Sequence, residues 1–147
     1  TAQWWLRRDR DWQSNRDILM DILQEEVNLQ RIAKLVGPDA LPEHQRLVLM
    51  VAEIIKNAFL QQNSFDEVDM YCSPQKQLWM LSLLVQFITR ARNIIKLGGT
   101  LADIYSLPGL ERLNRMKSEI GNDDTAAMIR LEQQLNAALD ALERRHK

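Results

Sequence analysis

Leu35-Val36-Gly37-Pro38-Asp39-Ala40-Leu41-Pro42-Glu43 stands between two long runs of helical periodicity, and its reading decides the fold. Gly37 suits the left-handed position that follows a helix, and Pro38 cannot continue that helix. Pro42 fits the first turn of a new helix, where its missing N–H is no loss. The short link Gly37 to Leu41 therefore predicts two helices running back alongside each other as an antiparallel hairpin.

Upstream of the turn, the spacing predicts a helix from about Asp11 to Val36. Ile18, Ile22, Leu29, Ile32 and Val36 form its apolar stripe, thickened by Leu19 and Leu23. Downstream, Leu47, Val51, Ile54 and Ala58 make one row, with Val48, Ala52, Ile55 and Phe59 beside it. Two adjacent rows predict a helix covered on much of its circumference, near the middle of a bundle. This pattern fades at Leu60-Gln61-Gln62-Asn63, and a polar-aromatic connection follows.

Ser73-Pro74 reads as an N-cap followed by a first-turn proline. A third helix then runs to about Leu97, with Leu81, Leu84, Ile88, Ala91 and Ile95 inward, and Gly98-Gly99 stops it. Thr100 with Asp103 reads as a capping box for a short helix ending before Pro108. A further helix covers Pro108 to Ile120 with Leu110, Leu113, Met116 and Ile120 inward. Asp123 or Asp124 caps a last helix in the 122–147 stretch. Its Met128, Leu131, Leu135, Ala138 and Leu142 form a coiled-coil-like seam. That seam packs on its own bundle, or it forms a dimer or partner-binding ridge. No stretch alternates long enough to predict a strand. The expected fold is an all-α helical bundle of about five to six helices, one domain spanning 1–147.

Composition agrees with one domain: 147 residues, 46% apolar and 27% charged. A formal net charge of −1 gives no global field for nucleic acid or an acidic membrane. Local basic groups stand near the ends, as Arg7, Arg8 and Arg10 and as Arg144, Arg145 and Lys147. The single cysteine, Cys72, cannot form an internal disulfide and reads as a small apolar residue. The longest apolar run, Leu47 to Ala52, is far short of a bilayer span, and no signal-peptide core is present. The chain opens Thr1-Ala2-Gln3-Trp4-Trp5 without methionine, the expected look of a fragment or a processed chain.

The chemistry of a self-contained enzyme is missing from the pattern. Glycines at 37, 98, 99, 109 and 121 build no GxxxxGK[ST] phosphate loop. His44 and His146 stand apart from any second metal ligand, so no zinc site is expected. Glu25-Glu26 and Asp123-Asp124 are adjacent pairs, and neighbours on a helix diverge by about 100°. Phe65, beside Gln62 and Asn63 just past a helix end, has two readings. Its ring either plugs the top of the bundle or stacks on a planar ligand ring that the amides recognise.

Two runs carry a family resemblance. Leu35 to Glu43 and Phe59-Leu60-Gln61-Gln62-Asn63-Ser64-Phe65-Asp66-Glu67-Val68-Asp69-Met70-Tyr71-Cys72 resemble segments of the catalytic A subunits of V/A-type rotary ATPases. Trp4-Trp5 and Leu107 to Lys117 add weaker support, so the resemblance covers roughly residues 1 to 118. It implies the C-terminal helical domain of a longer polypeptide whose nucleotide-binding domain lies upstream, outside this chain. The parent protein would hydrolyse or make ATP while a central stalk turns and ions cross a membrane. Phe65, Gln62 and Asn63 match a motif that looks like one wall of the family's adenine pocket, with magnesium supplied through the other domain. Asp39, Leu41, Pro42, Glu43 and His44 occupy the place of a lever loop that pushes on the rotor. The acidic cluster of the related beta-subunit loop is diluted here to two carboxylates and a histidine, which favours a steric push over charge pairing. The implied partners are the B subunits of the catalytic head and the central-stalk rotor subunit. No nucleic acid and no membrane insertion are implied, and the location is cytoplasmic, peripheral to the membrane. The alternative from another class is a free-standing interaction module that binds through its last helix.

Overall fold

The second helix of the hairpin organises the structure. The computed structural model describes residues 2–60, 74–121 and 124–146, and within them six α-helices and no strand occur. These are α1 (Ala2–Val36), α2 (Glu43–Ile55), α3 (Pro74–Lys96), α4 (Leu101–Tyr105), α5 (Leu110–Glu119) and α6 (Thr125–His146). A 3-10 turn, Pro38–Ala40, joins α1 to α2, and a π-helical turn, Lys56–Leu60, extends α2. The predicted rows of α2 are buried where their side chains are described: Leu47, Val51, Ile54 and Ala58, and Val48, Ala52 and Ile55 beside them, while the Phe59 side chain lies outside the described ones. α1 covers one side of α2 and also packs along α3. α4 and α5 cover another side.

The helices alternate in direction, and three cross-links fix their ends. Glu43 at the start of α2 accepts a hydrogen bond from the Leu101 amide at 2.8 Å, so the end of α3 and the start of α4 lie beside the hairpin turn. His146 at the end of α6 meets Asp103 at 3.2 Å, at that same end of the bundle. At the other end, Lys76 near the start of α3 donates to the carbonyl of Ile120.

α3 supplies the predicted inward row: Leu81, Leu84, Ile88 and Ala91 are buried and Ile95 is partly so, joined by Met80, Leu83, Phe87 and Ile94. It stops as predicted. Gly98, at φ 101, donates to the Ile95 carbonyl at 3.1 Å, and Gly99 donates to that of Ile94 at 2.9 Å. This is the paired bonding of a Schellman stop. Leu110, Leu113, Met116 and Ile120 are buried as expected.

The seam of α6 belongs to the bundle. Of the predicted residues, Met128, Leu131, Leu135 and Leu142 are buried and Ala138 is partly buried, with Leu139 buried beside it, against α3 and α5. Arg90 of α3 reinforces the contact, bonding Glu143 at 3.2 Å and also reaching Asp140. Burial alone would lower the pKa of Arg90, but the hydrogen bonds with Glu143 and Asp140 hold it above its ordinary value. The premise of a free binding ridge on the last helix is therefore removed.

Four sequence expectations need correction. α1 begins at Ala2 rather than near Asp11. Nothing between residues 2 and 36 is a glycine or proline, so no breaker stops the helix ahead of its apolar stripe. Ile32 and Val36, expected inward, are exposed, because the last turns of α1 project past the elements that cover Ile22 and Leu29. Pro42 is the N-cap of α2 rather than its first helical residue. Likewise α5 starts at Leu110, with Gly109 as its N-cap, two residues after the predicted Pro108.

The capping box is present in full: Thr100 Oγ1 accepts from the Asp103 amide at 3.2 Å, and Asp103 accepts from the Thr100 amide at 3.0 Å. The Thr100 amide, and then the Thr100 hydroxyl and His146, hold the Asp103 carboxyl below its usual pKa. A depressed carboxyl contributes stability above the ordinary carboxylate range and loses it as pH falls through the lowered value. Acid unfolding monitored by circular dichroism should therefore show a weaker pH dependence below about pH 4 in Asp103→Asn than in the parent chain. An unchanged acid profile would show that Asp103 is not held this way. Thr100→Ala should lower stability by about 1 kcal/mol in urea denaturation.

Candidate functional site

Two groups of residues were singled out by sequence, one in the hairpin turn and one between residues 61 and 73. Phe65, Gln62 and Asn63 lie outside the described residues, as does Cys72. The described residues that flank them, Leu60 and Pro74, stand at the ends of α2 and α3 away from the hairpin turn.

The turn is built tightly from backbone bonds. Gly37 donates to the Ala33 carbonyl at 2.8 Å, and Ala40 and Leu41 donate back to Gly37 and Pro38, each at 3.2 Å. The amides of Gln45 and Arg46 both reach the Pro42 carbonyl at 3.0 Å, starting α2 without a side-chain cap. Gly37 sits at φ 89 and ψ 145, a region that side-chain-bearing residues avoid. The reversal from α1 into α2 therefore depends on a glycine at this point.

The five turn residues divide by direction. Asp39, Pro42 and His44 are exposed. Leu41 is only 6% exposed and faces the bundle. Glu43 is half-buried, bonded to the Leu101 amide and 3.8 Å from Arg46. What the turn offers outward is thus largely apolar, because Leu35 and Val36, at 82% and 59% exposure, stand beside exposed Pro38 and Ala40. Sequence reasoning placed Val36 in the core stripe and gave Leu35 no role. Its signal was available: Leu35 falls off the stripe that Ile22 and Leu29 define.

Behind the turn, one polar link ties the two hairpin helices together. Glu26 of α1 is buried at 4% exposure, and Lys56 of the π turn bonds it at 2.7 Å. Gln30 adds a bond at 3.3 Å. A buried carboxylate stripped of its partner is strongly unfavourable, so the pair fixes the register of the π turn against α1. A groove of about 890 Å³ runs along this face of α2, from Pro38 and Asp39 past Arg46 and Glu53 to Asn57. Across α2, His44 shares a second cleft with Arg92 and Lys96 of α3. Those two cations were passed over in the sequence, although α3 contains no acidic residue to balance them. Among the described residues no three His, Cys, Asp or Glu side chains converge as metal ligands. No described helix is long and apolar enough to cross a membrane.

With this geometry in place, comparison with known proteins decides the family. Residues 3–105 match the family described as the C-terminal domain of V and A type ATP synthase. The chain belongs to that family. Its relatives include the A subunit of the A-type ATP synthase of Thermococcus onnurineus, 41% identical over 127 residues, covering 86% of this chain and 22% of that protein. The corresponding A subunit from Pyrococcus abyssi is 44% identical, covering 79% of this chain and 12% of that protein. Its counterpart from Methanopyrus kandleri is 46% identical, covering 78% of this chain and 20% of that protein. The chain thus spans about a fifth or less of the length of these relatives. The family match takes in the hairpin, α3 and α4, and the N-terminal residues 3–10 that α1 adds to the predicted helix.

The glycine at the turn gives a direct check on the hairpin. A Cβ at Gly37 would meet no atom within 4 Å, so any loss on substitution comes from backbone strain alone. Gly37→Ala should lower stability by about 1–3 kcal/mol in chemical denaturation. A neutral Gly37→Ala would mean that the turn can adopt another backbone path.

Proposed function

We propose that this chain is the helical lever of the catalytic A subunit in a V/A-type rotary ATPase. It carries motion from nucleotide hydrolysis or synthesis to the central stalk, and so to ion transport. The observation that supports this best is the exposed apolar tip of a long, cross-braced hairpin within a member of this family. α1 alone has 35 residues, a rod of about 50 Å. A rigid rod converts a small rotation at one end into a larger displacement at the other.

In this reading the nucleotide is held mainly by another domain of the same polypeptide, which also supplies its phosphate contacts and magnesium. Phe65, Gln62 and Asn63 complete one wall of the adenine pocket, the ring stacking on the base. ATP and ADP therefore bind this segment only through that wall, and the segment alone turns over no ATP. The partners are the neighbouring B subunits of the head and the rotor subunit of the stalk. The assembly works on the cytoplasmic side, peripheral to the membrane.

Of the residues at the turn, Asp39, Pro42 and His44 face the rotor, while Leu41 and Glu43 hold the turn to the bundle. The push itself is delivered by Leu35, Val36 and Pro38. Such a contact acts through shape and is insensitive to salt, unlike a pairing of charges.

The test is made in an assembled ATPase whose A subunit carries this chain. Leu35→Glu with Val36→Glu should lower the ions moved per ATP hydrolysed while the head still hydrolyses ATP. Asp39→Asn should leave that ratio unchanged. Full coupling in the double variant, or its loss in Asp39→Asn, would overturn the steric reading.

A further inference from the structure

α3 is a helix of one charge sign. Over Pro74–Lys96 it holds Lys76, Arg90, Arg92 and Lys96 and no aspartate or glutamate, in a chain whose net charge is −1. Lys76 and Arg90 are used inside the bundle, on the Ile120 carbonyl and on Glu143 and Asp140. Arg92 and Lys96 are exposed. Among the described residues neither forms an ion pair, whereas Arg46, Lys56 and Arg115 each find a carboxylate.

The two cations also rim a concavity. Together with Glu25, His44, Val48 and Ile95 they enclose a cleft of about 590 Å³. Val48 is buried and Ile95 partly buried, giving an apolar floor. Arg92 and Lys96, four residues apart, lie one turn apart on one face of α3. His44 and Val48 are likewise one turn apart on α2. Their face is opposite the one that Arg46, Met50 and Glu53 present to the larger groove. Glu25 is the only carboxylate in the lining, set against two permanent cations.

Lys96, in the last turn of α3, also favours the helix dipole, and that effect needs only charge. It leaves the concave apolar floor between α1, α2 and α3 without a role. An isolated phosphate or sulfate would likewise leave that floor unused. A helix carrying two carboxylates a turn apart, with an apolar side chain between them, uses every feature.

We propose that this cleft is a docking site for an acidic amphipathic helix of another polypeptide. Its carboxylates pair with Arg92 and Lys96, and its apolar side chain seats on Val48 and Ile95. The proposal does not require the lever reading, although the cleft shares His44 with the turn, because it concerns the groove between α2 and α3 rather than the exposed Leu35 and Val36.

The test uses the full 147-residue chain and a fluorescent, alanine-based helical peptide with two glutamates four apart and a leucine between them. Anisotropy at low salt should show saturable binding that weakens as salt is raised. Arg92→Glu with Lys96→Glu should weaken binding by about tenfold or more. Replacing the peptide glutamates by glutamine should do the same. Arg130→Glu, on exposed α6 surface outside the cleft, should leave affinity unchanged. Circular dichroism and melting of each variant confirm that the bundle is intact. Absence of peptide binding to the parent chain would overturn the proposal, as would equal binding by the Arg92/Lys96 double variant. So would binding of inorganic phosphate or phosphatidylserine vesicles that depends on Arg92 and Lys96 while peptide binding does not.

Discussion

The burial of the two apolar rows of α2 is the constraint from which the rest of the molecule follows. Leu47, Val48, Val51, Ala52, Ile54 and Ile55 leave little surface for water, so neighbours must cover them from several directions. α1 does so from the hairpin, α3 by returning past it, and α4 and α5 by closing the remaining side. Each buried leucine or isoleucine in such a helix contributes roughly 1.5–3 kcal/mol. Polar groups then fix the register that apolar contact leaves open. Glu26 finds Lys56, Glu43 finds the Leu101 amide, and Arg90 finds Glu143.

This arrangement leaves one end of the bundle with exposed apolar side chains. The elements covering α1 end before its last turns, so Leu35 and Val36 remain in water. The turn beyond them is held by backbone hydrogen bonds and by a glycine conformation, with little freedom to yield. A stiff body with an apolar point transmits force by shape. A charged, mobile loop would respond instead to salt and to the detailed placement of its partner's charges.

Local chemistry was the most legible part of the sequence. The Gly98-Gly99 stop, the Thr100–Asp103 box and the two rows of α2 each depend on residues within one or two turns of each other. Periodicity also identified the apolar face of α1, but it cannot say how far along that face a partner extends. Ile32 and Val36 continue the stripe in sequence and lose their cover in space. The N-terminal extension of α1 was missed because helix can persist where no apolar stripe marks it in the sequence. Nothing in Lys56 to Leu60 announces a π turn, because one extra residue per turn leaves no mark in composition. The cleft of His44, Arg92 and Lys96 was also hidden, because its members lie about fifty positions apart and meet only once three helices have packed. The adenine wall proposed for Phe65, Gln62 and Asn63 rests on the motif resemblance.

Rigidity of the hairpin is the central claim, and native-state amide hydrogen exchange in low denaturant measures it most directly. If α1 and α2 form one body, the amides of Leu19 to Leu29 and of Leu47 to Ile55 open together, with a single free energy close to that of global unfolding. Separate, lower-energy opening of either helix while the other stays protected would contradict the account.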